Sequence, residues 1–252
     1  MISRELKLSR GGIPIRAWLY FPEPKPTRLL DVLLFCHGIP GSKPDPKDRG
    51  YLPLFEEFTA RGYACATFNF RGCGVSGGNI DMRGWHEDLD AVLDAVTSCP
   101  GVDPHAVHCI GFSAGGAVAA KEASYHPEVK SLLMVASPAD FSEILPKDPD
   151  VLRRHFLGLG LIRDESFPGD LDAWYRGFLE TNPARWLPFV HPRPVGIVHG
   201  SGDETVPVRH GHLLYGAAWE PKRLFVLEQA GHQLRKDPRI VGIIADWLRE
   251  VA

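Results

Sequence analysis

Ser113 stands between Gly111 and Gly115 in the run "HCIGFSAGGAVAA", residues 108–120. A hydroxyl held between small residues at a sharp strand-to-helix turn is the setting of a serine nucleophile. The same G-x-S-x-G spacing also serves as a plain glycine turn. In a chain with 26 glycines it arises by accident often enough that the surroundings must decide. Residues His105–Ile110 are β-branched and apolar, as in a buried strand, and Ala114–Tyr125 are helix formers without proline. Such a turn strains the middle residue, and flanking glycines remove the Cβ atoms that would clash. The helix that follows aims unpaired N–H groups at the serine. A serine hydroxyl attacks well only when a base takes its proton, and that base is usually a histidine oriented by a carboxylate. Of eleven histidines, His232 in "RLFVLEQAGHQL" follows an apolar strand-like run and falls on a loop at the strand's C-terminal end. Asp203 in "VGIVHGSGDETVP" follows another, on the same rim as Ser113. The three residues together would carry out acyl transfer by nucleophilic attack. Asp140 also follows a strand and is the rival acid.

These loops need a scaffold that brings strand ends to one rim. Glu5–Ser9 and Ile13–Phe21 flank "RGG" and read as an antiparallel hairpin. Six apolar segments follow: Asp31–Cys36, Tyr63–Asn69, His105–Gly111, Ser131–Ser137, Pro194–Gly200 and Arg223–Glu228. Helical patterns separate most of them. One carries Leu52, Leu54, Phe55 and Phe58, another spans Asp88–Val96, and the last opens at Asp237-Pro238. Alternation of this kind predicts an α/β fold, a mostly parallel eight-stranded sheet with helices on both faces. Residues 140–193 break the rhythm, with helical but no strand-like patterns, and read as a helical cap inserted between core segments 1–139 and 194–252. Within it Leu171, Trp174, Tyr175, Phe178 and Leu179 share one helix face, and Trp174 and Phe178 are the expected substrate contacts.

Composition narrows the partners. Net charge is −3 with no long basic run, which argues against nucleic acid or an anionic membrane. No apolar stretch reaches the length of a membrane span, and "MISRELKLSRGG" lacks the apolar core of a signal peptide. Five cysteines, three in strand-like runs, read as free thiols of a cytoplasmic protein. No C-x-x-C pair suggests zinc, and the His210/His212 pair lacks a third ligand, so neither metal nor cofactor is expected. His37 and His199 read as structural. His86, Glu87, Asp88 and Asp90 read as a solvated, capped helix start, and the roles of Arg71 and Ser76 stay open.

From about Ile15 onward the chain resembles the α/β-hydrolase superfamily. The resemblance rests on "HGIPGS" (37–42), "FNFRGCGVSGG" (68–78), "GFSAGG" (111–116), "HGSGDETVP" (199–207) and "AGH" (230–232), in that order and at strand ends. It looks most like the serine carboxylesterases with a small helical cap, among them cinnamoyl/feruloyl esterases and monoacylglycerol lipases. The segment "NFRGCGVSGG" also looks like peptidase-like and dienelactone-hydrolase-like branches, the latter with a cysteine nucleophile where this chain has Ser113. The resemblance implies the order Ser113, Asp203, His232 for nucleophile, acid and base. It also implies an oxyanion loop in which Ile39 donates its N–H, Pro40 having none, together with Ala114. The expected activity is hydrolysis of small-molecule esters of small to medium acyl or aryl groups. The alternatives are a peptidase or amidase with the same triad, or a non-catalytic binding protein of the same fold.

Overall fold

The computed structural model describes residues 1–42, 45 and 47–251. Its sheet has eight strands: β1 (Ile2–Arg10), β2 (Ile13–Phe21), β3 (Leu30–Cys36), β4 (Ala64–Asn69), β5 (Val102–Phe112), β6 (Val129–Val135), β7 (Val195–Gly200) and β8 (Lys222–Leu227). Their order is β1-β2-β4-β3-β5-β6-β7-β8. The hairpin β1–β2 joins β4 antiparallel, and β3 to β8 run parallel. Side-chain alternation explains the edge: β2 buries Ile15, Ala17, Leu19 and Phe21 and turns the residues between them outward. The central strands are mostly apolar and buried because helices cover both faces. On one face lie α2 (Met82–Thr97), α3 (Ala114–Tyr125) and α6 (Arg209–Ala217); on the other lie α1 (Leu52–Ala60) and α7 (Arg239–Val251). Helix α3 is alanine-rich and almost wholly buried, so it lies close against the sheet beneath Ser113. No helix among the described residues is long and apolar enough to cross a membrane.

Residues 140–193 hold α4 (Pro149–Leu159), α5 (Leu171–Glu180) and three short 3₁₀ turns, and no strand. Helix α4, not expected from the sequence, is capped by the Asp148 side chain with Pro149 in its first turn and stopped by Gly160 at φ +73°. The segment is tied to the loop after β4. The Arg163 guanidinium donates to the carbonyls of Ser76, Gly72 and Gly74, and the Asn79 side chain accepts from the N–H groups of Arg163 and Asp164.

Two expectations need correction. Helix α2 begins at Met82 behind the Asp81 cap, so His86 and Asp88 lie inside it and are buried rather than solvated. His86 Nδ1 meets Glu122 at 2.9 Å and its Nε2 meets Thr181 at 3.2 Å, while Asp88 accepts from the backbone and guanidinium of Arg71. Only Glu87 of the expected surface group is well exposed. Trp174 and Phe178 are packing residues: Phe178 is 0% exposed, its ring among Phe141, Phe156 and Trp174, and the Trp174 indole donates to the Ile80 carbonyl at 2.9 Å. Neither offers a surface to a ligand.

Candidate active site

Ser113 ends the longest central strand and caps α3. Its backbone sits at φ 52°, ψ −126°, a region L-residues rarely occupy. The strain is held by its surroundings: the Ser113 N–H donates to Val135 O at 2.8 Å, and Gly116 N–H donates to Ser113 O at 3.0 Å. Strand and helix cross so closely that a Cβ on Gly111 would lie 2.3 Å from the Gly116 Cα. The hydroxyl therefore projects from the rim instead of capping its own helix, and Ser113 remains partly accessible.

His232 arrives on the loop after β8 and Asp203 on the loop after β7. The two loops are stitched together: Gly202 N–H donates to Ala230 O, Ser201 N–H to Leu227 O, and Gln229 N–H to the Ser201 hydroxyl. His232 Nε2 lies 3.1 Å from Ser113 Oγ, and its Nδ1 lies 2.8 Å from Asp203 Oδ2. A carboxylate accepts, so Nδ1 carries the ring proton and Nε2 is free to accept from the serine. Burial would raise the Asp203 carboxyl, but hydrogen bonds from His199, His232 and the Val206 N–H outweigh it and hold the group well below the usual carboxylate range. Its second oxygen accepts from the N–H groups of Thr205 and Val206 at 2.9 and 2.8 Å. The Asp203 carboxylate stays ionised and shut away, while His232 is half-buried. Asp140 instead caps a 3₁₀ turn through Ser142 N–H.

The family model described as alpha/beta hydrolase fold matches residues 31–190. The chain belongs to the alpha/beta hydrolase fold family. Among similar curated proteins is the uncharacterized protein YfhR of Escherichia coli (strain K12), 24% identical over 228 residues, covering 89% of this chain and 71% of YfhR. Among solved structures, the alpha/beta hydrolase GrgF from Penicillium sp. sh18 superposes with a TM-score of 0.78 at 20% identity, over 100% of this chain and 98% of GrgF. Est1E from Butyrivibrio proteoclasticus superposes with a TM-score of 0.72 at 18% identity, over 98% of each chain.

In this alpha/beta hydrolase the loop after β3 brings Gly38 against Ser113, where a Cβ would lie 2.7 Å from Ser113 Cβ. His37 holds that loop: its Nδ1–H donates to Gly38 O at 2.7 Å and its Nε2 accepts from Phe70 N–H at 3.1 Å, as the structural reading of His37 requires. Ile39 follows Gly38 in this loop and is half-buried. Ala114 is the first residue of α3, so its N–H has no intrahelical acceptor. Among the described residues neither Ile39 N–H nor Ala114 N–H donates to a protein group. Arg71 and Ser76 serve the scaffold: Arg71 pairs with Asp88, and Ser76 donates to Asn69 O and accepts from Arg16 N–H.

The other candidates separate from the site. All five cysteines are free and buried. His210 is buried and His212 exposed on the same helix, so the pair does not converge. Asp90, Glu122 and His126 do gather, but His126 bridges Asp90 and Glu128 at 3.1 and 2.8 Å and is raised to about 9, chiefly by its hydrogen bond to Glu122, while Asp90 also pairs with Arg10 and Glu122 with His86, so the carboxylates already have protein partners. A second serine–histidine–aspartate chain also exists: Ser131 Oγ lies 2.8 Å from His108 Nδ1, and His108 Nε2 lies 3.4 Å from Asp31. The backbone donors that hold Asp203 were not expected. Their signal is the aspartate two residues before a threonine in "GDETVP", a local turn in which the side chain accepts from the following N–H groups.

Proposed function

We propose that the protein is a serine carboxylesterase-like hydrolase acting on esters of small to medium acyl or aryl groups. The observation that carries this reading is the continuous chain from Ser113 Oγ through His232 to Asp203, at 3.1 and 2.8 Å, on a strained and accessible elbow. Ser113 Oγ forms the bond to the ester carbonyl carbon as its proton passes to His232 Nε2. The carbonyl oxygen takes the negative charge and faces the N–H groups of Ile39 and Ala114, each such donor being worth about 2.7–4 kcal/mol in the transition state. The imidazolium then gives its proton to the departing alcohol oxygen, and water attacks the acyl-serine by the same route in reverse. Asp203 stays charged and holds the imidazole tautomer.

Two things favour esters over peptides. Est1E, a structural neighbour, binds ferulic acid. Of Glu143, Glu165 and Glu180, the acids of residues 140–193 that could anchor a peptide amine, Glu143 is paired with Arg209 and Glu180 with Arg83. Free, buried thiols suit a reducing compartment, and we place the protein in the cytoplasm.

A fluorophosphonate probe tests the reading. It should label the protein once, and Ser113→Ala should abolish labelling and lower aryl-ester kcat/KM by about 10³-fold or more. Folded wild-type protein that stays unlabelled, or aminoacyl anilides cleaved as well as the best ester, would overturn it.

A further inference from the structure

We infer that His199 is a positioning residue for the acid: it clamps Asp203 Oδ2 in line with His232 Nδ1. The inference rests on the triad reading above. His199 is the penultimate residue of β7 and is 0% exposed. Its Nε2 lies 2.8 Å from Val206 O and 3.5 Å from Asp203 Oδ2. A carbonyl oxygen only accepts, so Nε2 carries the proton. That N–H has its main branch on Val206 and its secondary branch on the oxygen that also accepts from His232.

Val206 closes a ring. Its N–H donates to Asp203 Oδ1 at 2.8 Å while its carbonyl accepts from His199. The carboxylate is therefore held at both oxygens: Oδ1 by Thr205 and Val206, Oδ2 by the two imidazoles. Helix α6 packs against His199 at Gly211, where a Cβ would lie 3.0 Å from its Cβ and Nδ1. The other polar groups facing this corner are occupied elsewhere or distant. His210 accepts from Ala139 N–H at 3.2 Å and lies 3.8 Å from Glu143, Arg209 pairs with Glu143, and Asp140 caps its own turn.

A donor on Oδ2 draws charge away from the carboxylate and weakens its hold on the His232 proton. Removing it should strengthen the pull of Oδ2 on that proton and loosen the Asp203 rotamer together. His199→Phe removes the donor and keeps a flat ring. His199→Gln keeps an N–H within reach of Val206 O.

The test is the pH profile of p-nitrophenyl ester hydrolysis for both variants, with ¹⁵N imidazole NMR on the wild-type protein. For His199→Phe, kcat should fall about 10-fold with KM nearly unchanged, and the acid limb of kcat/KM should move up by roughly half a pH unit. His199→Gln should recover most of the kcat and restore the limb. The NMR spectrum should show His199 protonated at Nε2. Equal losses in both variants with an unmoved limb would mean packing alone and would overturn the inference, as would unchanged kinetics or a proton on Nδ1. If His199→Phe does not fold, the glutamine profile and the wild-type tautomer decide. If the wild-type protein hydrolyses no ester, the triad reading fails. The His232 Nδ1–H resonance then decides the clamp: a downfield-shifted or broadened signal in His199→Phe but not in His199→Gln supports it, and an unchanged one refutes it.

Discussion

Gly38→Ala tests whether the loop after β3 belongs to the chemistry or only to the fold. Gly38 is not in the left-handed backbone region, so alanine adds no dihedral strain there. What it adds is a methyl carbon 2.7 Å from Ser113 Cβ and 3.0 Å from Phe112 O. Carbon pairs rest at about 3.5–4.0 Å, so one side must retreat by roughly 1 Å. The elbow is braced by Ser113 N–H on Val135 O and by α3 beneath it. The loop is held chiefly by the two hydrogen bonds of His37 and is the side that yields. On the proposed mechanism, its retreat carries Ile39 N–H away from the developing oxyanion. Loss of one such donor lowers kcat by about 10²–10³-fold. Overpacking should lower stability by only about 1–3 kcal/mol, so the variant should remain folded. Steady-state hydrolysis of p-nitrophenyl acetate, with circular dichroism and thermal melting as controls, should show kcat down by about 10² with KM within threefold. A folded Gly38→Ala protein with kcat within threefold of wild type would refute the assignment of Ile39.

Phe178→Ala removes a ring with no exposed surface, so urea unfolding should show a loss of about 3–5 kcal/mol and all substrates should suffer alike; intact stability with a raised KM for bulky esters would return Phe178 to the substrate. His126 is raised to about 9 by Glu122 and Glu128 against the opposing effect of burial, above the roughly 6.5 of an unfolded imidazole. Its stabilisation is therefore complete below about pH 6.5 and lost as pH rises through about 9, worth about 1–2 kcal/mol after solvent screening. His126→Gln should flatten that slope, and an unchanged slope would refute the pairing. Asp88→Ala leaves the buried Arg71 guanidinium only its bond to the half-exposed Glu87 and should cost about 3–5 kcal/mol; a loss below about 1 kcal/mol by chemical denaturation would show that Glu87 alone satisfies Arg71.

Much of the scaffold was legible because local chemistry and tertiary demand agree. The six apolar segments map onto β3–β8 because apolar runs without turn residues suit strands, those of β3, β6 and β7 being buried on both faces. Helix α3 runs from Ala114 to Tyr125, as its composition predicts. Ser113, Asp203 and His232, which the structure brings together, could be picked out because each follows a strand end in a glycine-bearing loop. What escaped depends on partners remote in sequence. Nothing around "WHEDLD" announces that His86 will meet Thr181 or that Asp88 will meet Arg71. The apolar face of α5 was visible, but periodicity cannot say whether Trp174 and Phe178 face a ligand or Phe156.

The two serine–histidine–aspartate chains show why distances alone do not make a site. Ser131 and Ser113 both lie within 3.1 Å of an imidazole nitrogen, and each imidazole reaches an aspartate. Ser131, however, is 0% exposed inside the regular strand β6, so no carbonyl can reach its oxygen. Its aspartate, Asp31, is the open end of that chain, about a third exposed and also 3.6 Å from Lys130. The order of exposure is inverted at Ser113, where the serine and base are partly accessible and the acid is sealed. Only the second arrangement keeps a charge dry behind the base while leaving the nucleophile within reach. It is also the one with strained backbone at the serine and a helix N-terminus beneath it. The His108 chain joins three strands across the sheet, and the His232 chain joins three loops at its rim. Burial, backbone conformation and the position of the acid therefore separate a packing device from a catalytic one, given nearly the same three side chains.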